Sequence, residues 1–277
     1  MSGLVFTLRE EPRQRVDMTP LTPDRVAGKS LTDAGSIELL CGNGILRTDA
    51  LFELSGSPVT AGDQATITIR KSSSKLHNIG AAMIQGTIVV AGDAGAYVGL
   101  GMKGGLIRIS GNAGAFAACA MRNGEIRISG NAGEFLGGAL AGDRKGMRGG
   151  IVRVSGNAGP RAGDHLRRGV LMIAGNADDY CGARMTAGTI IVLGQAGDFT
   201  GLGMQRGTIL LANPPKGVPP TFNDCGHHDL PFLKLLLNSV RGDQSEFAAL
   251  DSFGNRVQRL AGDRGVNGLG EILIRAS

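Results

Sequence analysis

Seven residues of this chain, Met83, Met102, Met121, Met147, Leu166, Met185 and Met204, each open a copy of one motif, at steps of 19, 19, 26, 19, 19 and 19 residues. The longer step is one copy plus the seven residues 140–146. Three positions after each opening residue stands a glycine, from Gly86 to Gly207, and nine positions after stands a second, from Gly92 to Gly194. The second glycine is followed by Asp93, Asn112, Asn131, Asn157, Asn176 or Gln195, and then always by alanine. Between the glycines lies a short segment such as Leu106–Ile109, whose second and fourth residues are aliphatic in every copy. Alternation at period two marks a strand with one buried face. Glycine and Asn columns mark corners, because these residues tolerate φ > 0 or a close backbone approach. A unit of 19 residues with one strand cannot bury its face alone, whereas stacked copies about 4.8 Å apart can.

The expected fold is therefore all-β: a right-handed parallel β-helix, or solenoid, with about 19 residues per coil and a short C-terminal helix as cap. A left-handed hexapeptide helix is the competing solenoid. It needs equal six-residue spacing, and the apolar columns here fall at the uneven offsets 0, 5, 7 and 14. With only 4% aromatic residues and no Trp, the core has to be filled by Ile, Val, Met and Ala. The Met column and the column of Tyr97, Phe116, Phe135, Arg161, Tyr180 and Phe199 are both expected to stack inside the coil.

Three regions follow. Residues 1–63 form an N-terminal non-repeat segment packing on the solenoid, with short strands over 36–40 and 51–54. Residues 64–212 carry the repeats, opened by a degenerate copy through Ile67 and Ile69 and interrupted by the insertion 140–146. Residues 213–277 form a C-terminal cap segment, entered at Asn213-Pro214-Pro215, where proline ends strand pairing. In it a helix over 230–240, opened by Asp229 and Pro231, is expected to cover the open end of the coil.

The net charge of +5 favours an acidic partner. One position after the opening residue, four successive copies carry Lys103, Arg122, Arg148 and Arg167. At the middle of the strand, three successive copies carry Arg108, Arg127 and Arg153 in an outward register, where the flanking copies have Val89, Met172, Ile191 and Leu210. The insertion adds Arg144 and Lys145. Two cationic ladders stacked at about 4.8 Å repel unless they meet counter-charges, which makes them candidate ligands for an extended polyanion. The alternatives are a solvated surface with Arg stems lying along neighbouring copies, or contact with acidic faces of partner proteins. The outward apolar residues suggest that this face meets protein, either a partner or the chain's own terminal segments.

No catalytic or metal-binding residue is assigned. Cys41, Cys119, Cys181 and Cys225 lack paired spacing. His77, His165, His227 and His228 form no metal-binding spacing, and the run from Cys225 to Asp229 is too contiguous to surround an ion. No nucleophile elbow or phosphate-binding loop occurs. A stand-alone enzyme would have to rely on His165, the one histidine at the end of a repeat. No secretory or membrane-spanning pattern is visible, so a cytoplasmic location is expected, with no membrane and no nucleic-acid partner.

The motif M-x-G-G-x-I-x-I-x-G-N-A-G over residues 83–211 resembles the glycine-rich β-helix domain at the C-terminal end of glutamate synthase. The whole chain resembles the C subunit of formylmethanofuran dehydrogenase and of its bacterial relative, the formyltransferase/hydrolase complex. The likeness rests on the length, residues 4–9, Leu21-Thr22-Pro23, the repeat array and the insertion through Met147. It implies a non-catalytic member of a one-carbon complex, bound beside a zinc-dependent amidohydrolase-like A subunit, the B subunit and a formyltransferase D subunit. It also implies a formyl carrier of the methylofuran or methanofuran type with a glutamate-rich tail, and tetrahydromethanopterin as formyl partner. Zinc is implied in the partner only. In the archaeal form a molybdenum or tungsten subunit is implied. The cationic ladders are where such a tail would lie.

Overall fold

The computed structural model describes residues 3–60, 62–240, 242 and 245–276. The N-terminal region contributes strands β1 (Leu4–Leu8), β2 (Val16–Asp17), β3 (Glu38–Cys41), β4 (Gly44–Arg47) and β5 (Phe52–Gly56). Three short helical turns, α1 (Pro23–Val26), α2 (Leu31–Gly35) and α3 (Thr48–Leu51), lie among them. Next come β6 (Thr66–Ser72) and β7 (Leu76–His77). The repeats supply β8 (Thr87–Gly92), β9 (Leu106–Ile109), β10 (Glu125–Ile128), β11 (Arg148–Val154), β12 (Arg168–Ile173), β13 (Thr189–Val192) and β14 (Thr208–Leu211). The chain ends with β15 (Asn223–Asp229), helix α4 (Phe232–Val240), a 3-10 turn over Ser245–Ser252, and strands β16 (Arg256–Gly262) and β17 (Gly270–Arg275).

Each repeat strand pairs in parallel with the next at equivalent positions, as in Ile107↔Ile126 and Ile126↔Val152. The pairing holds across the insertion, so residues 140–146 leave the stack without shifting it. β6 and β8 through β14 form one continuous parallel run, which β1 joins at one end and β17 at the other, while β7 pairs with β2 in a second sheet of order β4-β3-β2-β7. Antiparallel strands finish the sheet: β5 beyond β1, and β16 then β15 beyond β17. A second line of contact runs through the alanine column, Ala94 to Ala113 to Ala132 to Ala158 to Ala177 to Ala196, again in parallel. The chain is thus mostly β, with a long parallel sheet built from stacked repeats.

The core explains two of the columns together. All seven opening residues, six Met and Leu166, are fully buried, as are the inward strand pairs such as Ile88 and Val90. Burial of each such side chain contributes about 1.5–3 kcal/mol. The glycine three positions later has φ between 86° and 107°. A Cβ there would meet the methionine methyl of the preceding repeat, 2.7 Å from Met102 Cε at Gly124 and 2.7 Å from Met147 Cε at Gly169. The glycine column is therefore both a left-handed corner and the socket for the Met column.

Two expectations need correction. The aromatic column stacks, but not inside. Tyr97 and Phe116 lie 5.2 Å apart, Phe116 and Phe135 4.8 Å, and Tyr180 and Phe199 5.0 Å. Arg161 bridges the gap, its guanidinium 4.7 Å from the Tyr180 ring centre and 5.8 Å from that of Phe135. These residues have φ between 56° and 64° and are half-buried or exposed. At a left-handed corner the side chain leaves the coil, and its ring faces are covered by neighbouring rungs instead of by the core. Second, α4 does not close the end of the stack, where β17, β16 and β15 lie. Its buried Leu233, Leu237 and Val240 pack on the outward residues Met172, Ile191, Leu210 and Leu273, together with Phe247 and Leu250. The helix begins at Phe232, and Asp229 ends β15 instead of capping it.

Candidate functional site

The first cationic column lies just before the strand in three repeats and opens it in the fourth, at Arg148. Backbone hydrogen bonds to the preceding repeat fix it: Lys103 N–H to Met83 O at 2.8 Å, Arg122 to Met102 O at 2.7 Å, Arg148 to Met121 O at 2.7 Å and Arg167 to Met147 O at 2.9 Å. Lys103, Arg122 and Arg167 are exposed, and Arg148 is half-buried. Among the described residues no carboxylate lies within ion-pair distance of any of the four. The Arg148 Nε is buried and has no hydrogen-bond partner. Arg148 pairs across the sheet with the exposed Arg168, because a register irregularity follows between Arg148 and Ile151. Column counting missed Arg168 for that reason. The insertion holds Arg144 and Lys145 in solvent, shortly before Arg148 in the chain.

The second ladder is in register, Arg108↔Arg127↔Arg153, but it is not one open strip. Glu125 divides it. The Arg127 Nε donates to Glu125 Oε1 at 2.6 Å, and Arg153 Nη1 pairs with the same oxygen. Arg153 also donates to Val240 O at 2.8 Å and is only 4% exposed. The end of α4 covers it, so Arg153 serves the chain's own packing and is removed from the candidate ligand set. Arg127 is half-buried beside it, and Arg108 alone of the three is exposed.

The remaining titratable residues are dispersed. His165 is half-buried, and burial together with Arg184 and Arg144 lowers its pKa against the pull of Asp164. Asp164 itself is buried and committed to Arg184 and Arg161. Burial pushes the Cys119 and Cys181 thiols up to about 12. His227 and His228 lie on β15, where His228 Nε2 contacts Cys225 O at 3.0 Å. Among the described residues no three His, Cys, Asp or Glu side chains are grouped to hold a metal ion. Among the described residues no helix is long and apolar enough to cross a membrane.

Comparisons with known proteins agree with this geometry. Residues 59–225 match the GXGXG motif family. The C subunit of tungsten-containing formylmethanofuran dehydrogenase 2 from Methanothermobacter wolfeii is 36% identical over 101 residues, and that from Methanococcus maripaludis 35% over 102. These alignments cover 36% of this chain and only 37% and 36% of those proteins' lengths. A chain in the crystal structure of the formyltransferase/hydrolase complex (FhcABCD) from Methylorubrum extorquens, in complex with methylofuran, superposes with a TM-score of 0.88. It is 34% identical and is covered over 100% of its length by 99% of this chain. The chain therefore belongs to the GXGXG motif family and is a homologue of the formylmethanofuran dehydrogenase C subunit.

Proposed function

We propose that this chain is the non-catalytic C subunit of a formyltransferase/hydrolase complex in one-carbon metabolism, and that it holds the polyglutamate tail of a furan-type formyl carrier while scaffolding the A, B and D subunits. Its stack is read as a right-handed parallel β-helix, with the terminal segments 1–63 and 213–277 packed on it. The observation that carries the tail-binding reading is the column Lys103, Arg122, Arg148 and Arg167: four cations in register, free of ion pairs among the described residues, with one buried nitrogen on Arg148 lacking a partner. An unpaired buried donor costs about 1–3 kcal/mol, and a carboxylate reaching Arg148 would remove that cost. Arg108, Arg144 and Lys145 extend the strip, as does Arg168. An extended tail advances about 3.3 Å per residue, against about 4.8 Å per repeat. The two steps do not match, so the tail is held diffusely and in a salt-sensitive way. Such tethering keeps the reactive end of the carrier at high effective concentration for two active sites.

The test is titration of the purified chain with poly-L-glutamate. Lys103→Glu, Arg122→Glu, Arg148→Glu and Arg167→Glu together should weaken binding at least tenfold at low salt while the chain still copurifies with its partners. Unchanged affinity at low salt would sink the reading. Loss of copurification with intact affinity would show that the strip meets acidic faces of the partners instead. The likeness to tungsten-containing enzymes favours one alternative, the C subunit of a molybdenum or tungsten formylmethanofuran dehydrogenase. Identifying the copurifying proteins decides between the two complexes.

A further inference from the structure

The aromatic ladder ends abruptly, and a cavity lies where the next ring would be. Residue 78 occupies the ladder column one repeat before Tyr97. Its backbone N–H bonds to Ala96 O at 2.9 Å, as that of Tyr97 bonds to Ala115 O at 2.9 Å, and its φ is 59°, against 64° at Tyr97. The backbone therefore offers a ladder position, but the side chain is Asn78. One face of Tyr97 stacks on Phe116. Among the described residues no ring stacks on the other face. Tyr97 and Asn78 both line a cavity of about 500 Å³, a size suited to a small organic ligand.

Two departures from the repeat, together with one residue of the repeat itself, supply its apolar walls. The β3–β4 hairpin supplies Leu40, the insertion supplies Leu140, and Leu100 comes from the Tyr97 repeat. Arg15 and His77 line the same cavity. Both also line an adjoining cleft with Lys75. Among the described residues neither Arg15 nor Lys75 has a carboxylate within ion-pair distance. The acid in the wall, Asp17, is already engaged, accepting from Thr19 N–H at 2.9 Å and from the Thr19 hydroxyl at 2.5 Å.

We propose that this cavity binds a small planar aromatic carboxylate, its ring stacked on the free face of Tyr97 in the place left by Asn78 and its carboxylate directed to Arg15 and Lys75. The ring gives Tyr97 a second ring neighbour, as Phe116 already has in Tyr97 and Phe135. The carboxylate meets cations that no acid among the described residues neutralises. The site uses none of the residues of the cationic strip, so it stands or falls independently of tail binding.

The test uses the full chain and three fluorinated probes read by 19F NMR: 4-fluorobenzoate, the neutral 4-fluorobenzamide, and the non-planar 4-fluorocyclohexanecarboxylate. The benzoate should bind at least fivefold more tightly than either control. Asn78→Phe should fill the vacancy and reduce benzoate binding at least fivefold, with melting temperature confirming a folded chain. The column accepts Phe at this φ, as at Phe116 and Phe135. Should that variant fail to fold, Tyr97→Asn, which places in this repeat the residue already tolerated in the preceding one, should give the same loss. Arg15→Gln should lower benzoate binding to the level of the amide. Equal binding of planar and non-planar acids would overturn the proposal, as would wild-type affinity in a folded Asn78→Phe chain. Loss of benzoate binding in the assembled complex would also overturn it, because a partner would then own the cavity.

Discussion

Strands β9 to β11 and strands β12 to β14 share one backbone and pair residue for residue, yet their outward columns differ completely. In the first group the mid-strand residues are Arg108, Arg127 and Arg153; in the second they are Met172, Ile191 and Leu210. The apolar group is fully buried, because α4 and the following 3-10 turn lie on it. Val89 and Arg108, further along the same face, are half-buried and exposed. Arg153 sits at the boundary, its guanidinium shared between Glu125 and the last carbonyl of α4. A Cβ on Gly242 would meet that guanidinium at 3.0 Å. Register is thus set by the inward residues and the glycine corners, while the outward residues choose what covers each part of the sheet. The chain's own C-terminal segment takes the apolar part and stops where charge begins.

That division can be broken most forcefully at its boundary. Glu125→Ala leaves the Arg153 cation buried without its carboxylate, which should destabilise the chain by about 3–5 kcal/mol, read as a lower urea midpoint. A loss below about 1 kcal/mol would mean that Arg153 is solvated and the cover is not seated. Next comes a paired comparison within the outward column. Leu210→Ala empties a buried position under α4 and should cost about 2–5 kcal/mol. Val89→Ala, at the equivalent position without that cover, should cost less than about 1 kcal/mol. Equal losses would erase the distinction between the two parts of the face.

Most of the stack was legible in the sequence, for a physical reason. Inward aliphatics, Met openings and glycine sockets depend on one another within neighbouring repeats, so they recur at fixed offsets. A segment such as Leu106–Ile109 could be bounded to the residue. The aromatic column misled because residue type was taken as a sign of burial. At φ near 60° the rings find cover from each other outside the coil. The Asn column misled in a smaller way. Asn112, Asn131 and Asn157 do not adopt φ > 0; each side-chain oxygen accepts the N–H of the equivalent residue one repeat on, at 2.8 Å. The pairing of Arg153 with Glu125 was out of reach, since the outward register was visible but the approach of α4, 87 residues away, was not. For the same reason β16 and β17, which carry no repeat, were read only as an unspecified cap.

The smallest effect tests how the cover is pinned at its edge. Glu246, in the 3-10 turn, accepts from the Ser155 hydroxyl of the sheet at 3.0 Å. Hydrogen bonds from its own backbone N–H and from Ser155 hold its pKa below the usual 4.5. A carboxylate with a lowered folded-state pKa stabilises the fold above its unfolded value, and this contribution disappears as pH falls through the folded value. Glu246→Gln should therefore lower stability slightly near pH 6, on the order of 0.5 kcal/mol for a solvent-screened contact. As pH falls through the folded value, the variant and the parent should converge in melting temperature. The loss should appear as faster amide exchange in α4, with β8 and β9 unchanged, because only the covered part of the face depends on this tether. A difference that persists undiminished at low pH, or that spreads to β8 and β9, would show that Glu246 acts on the stack as a whole and not on its cover.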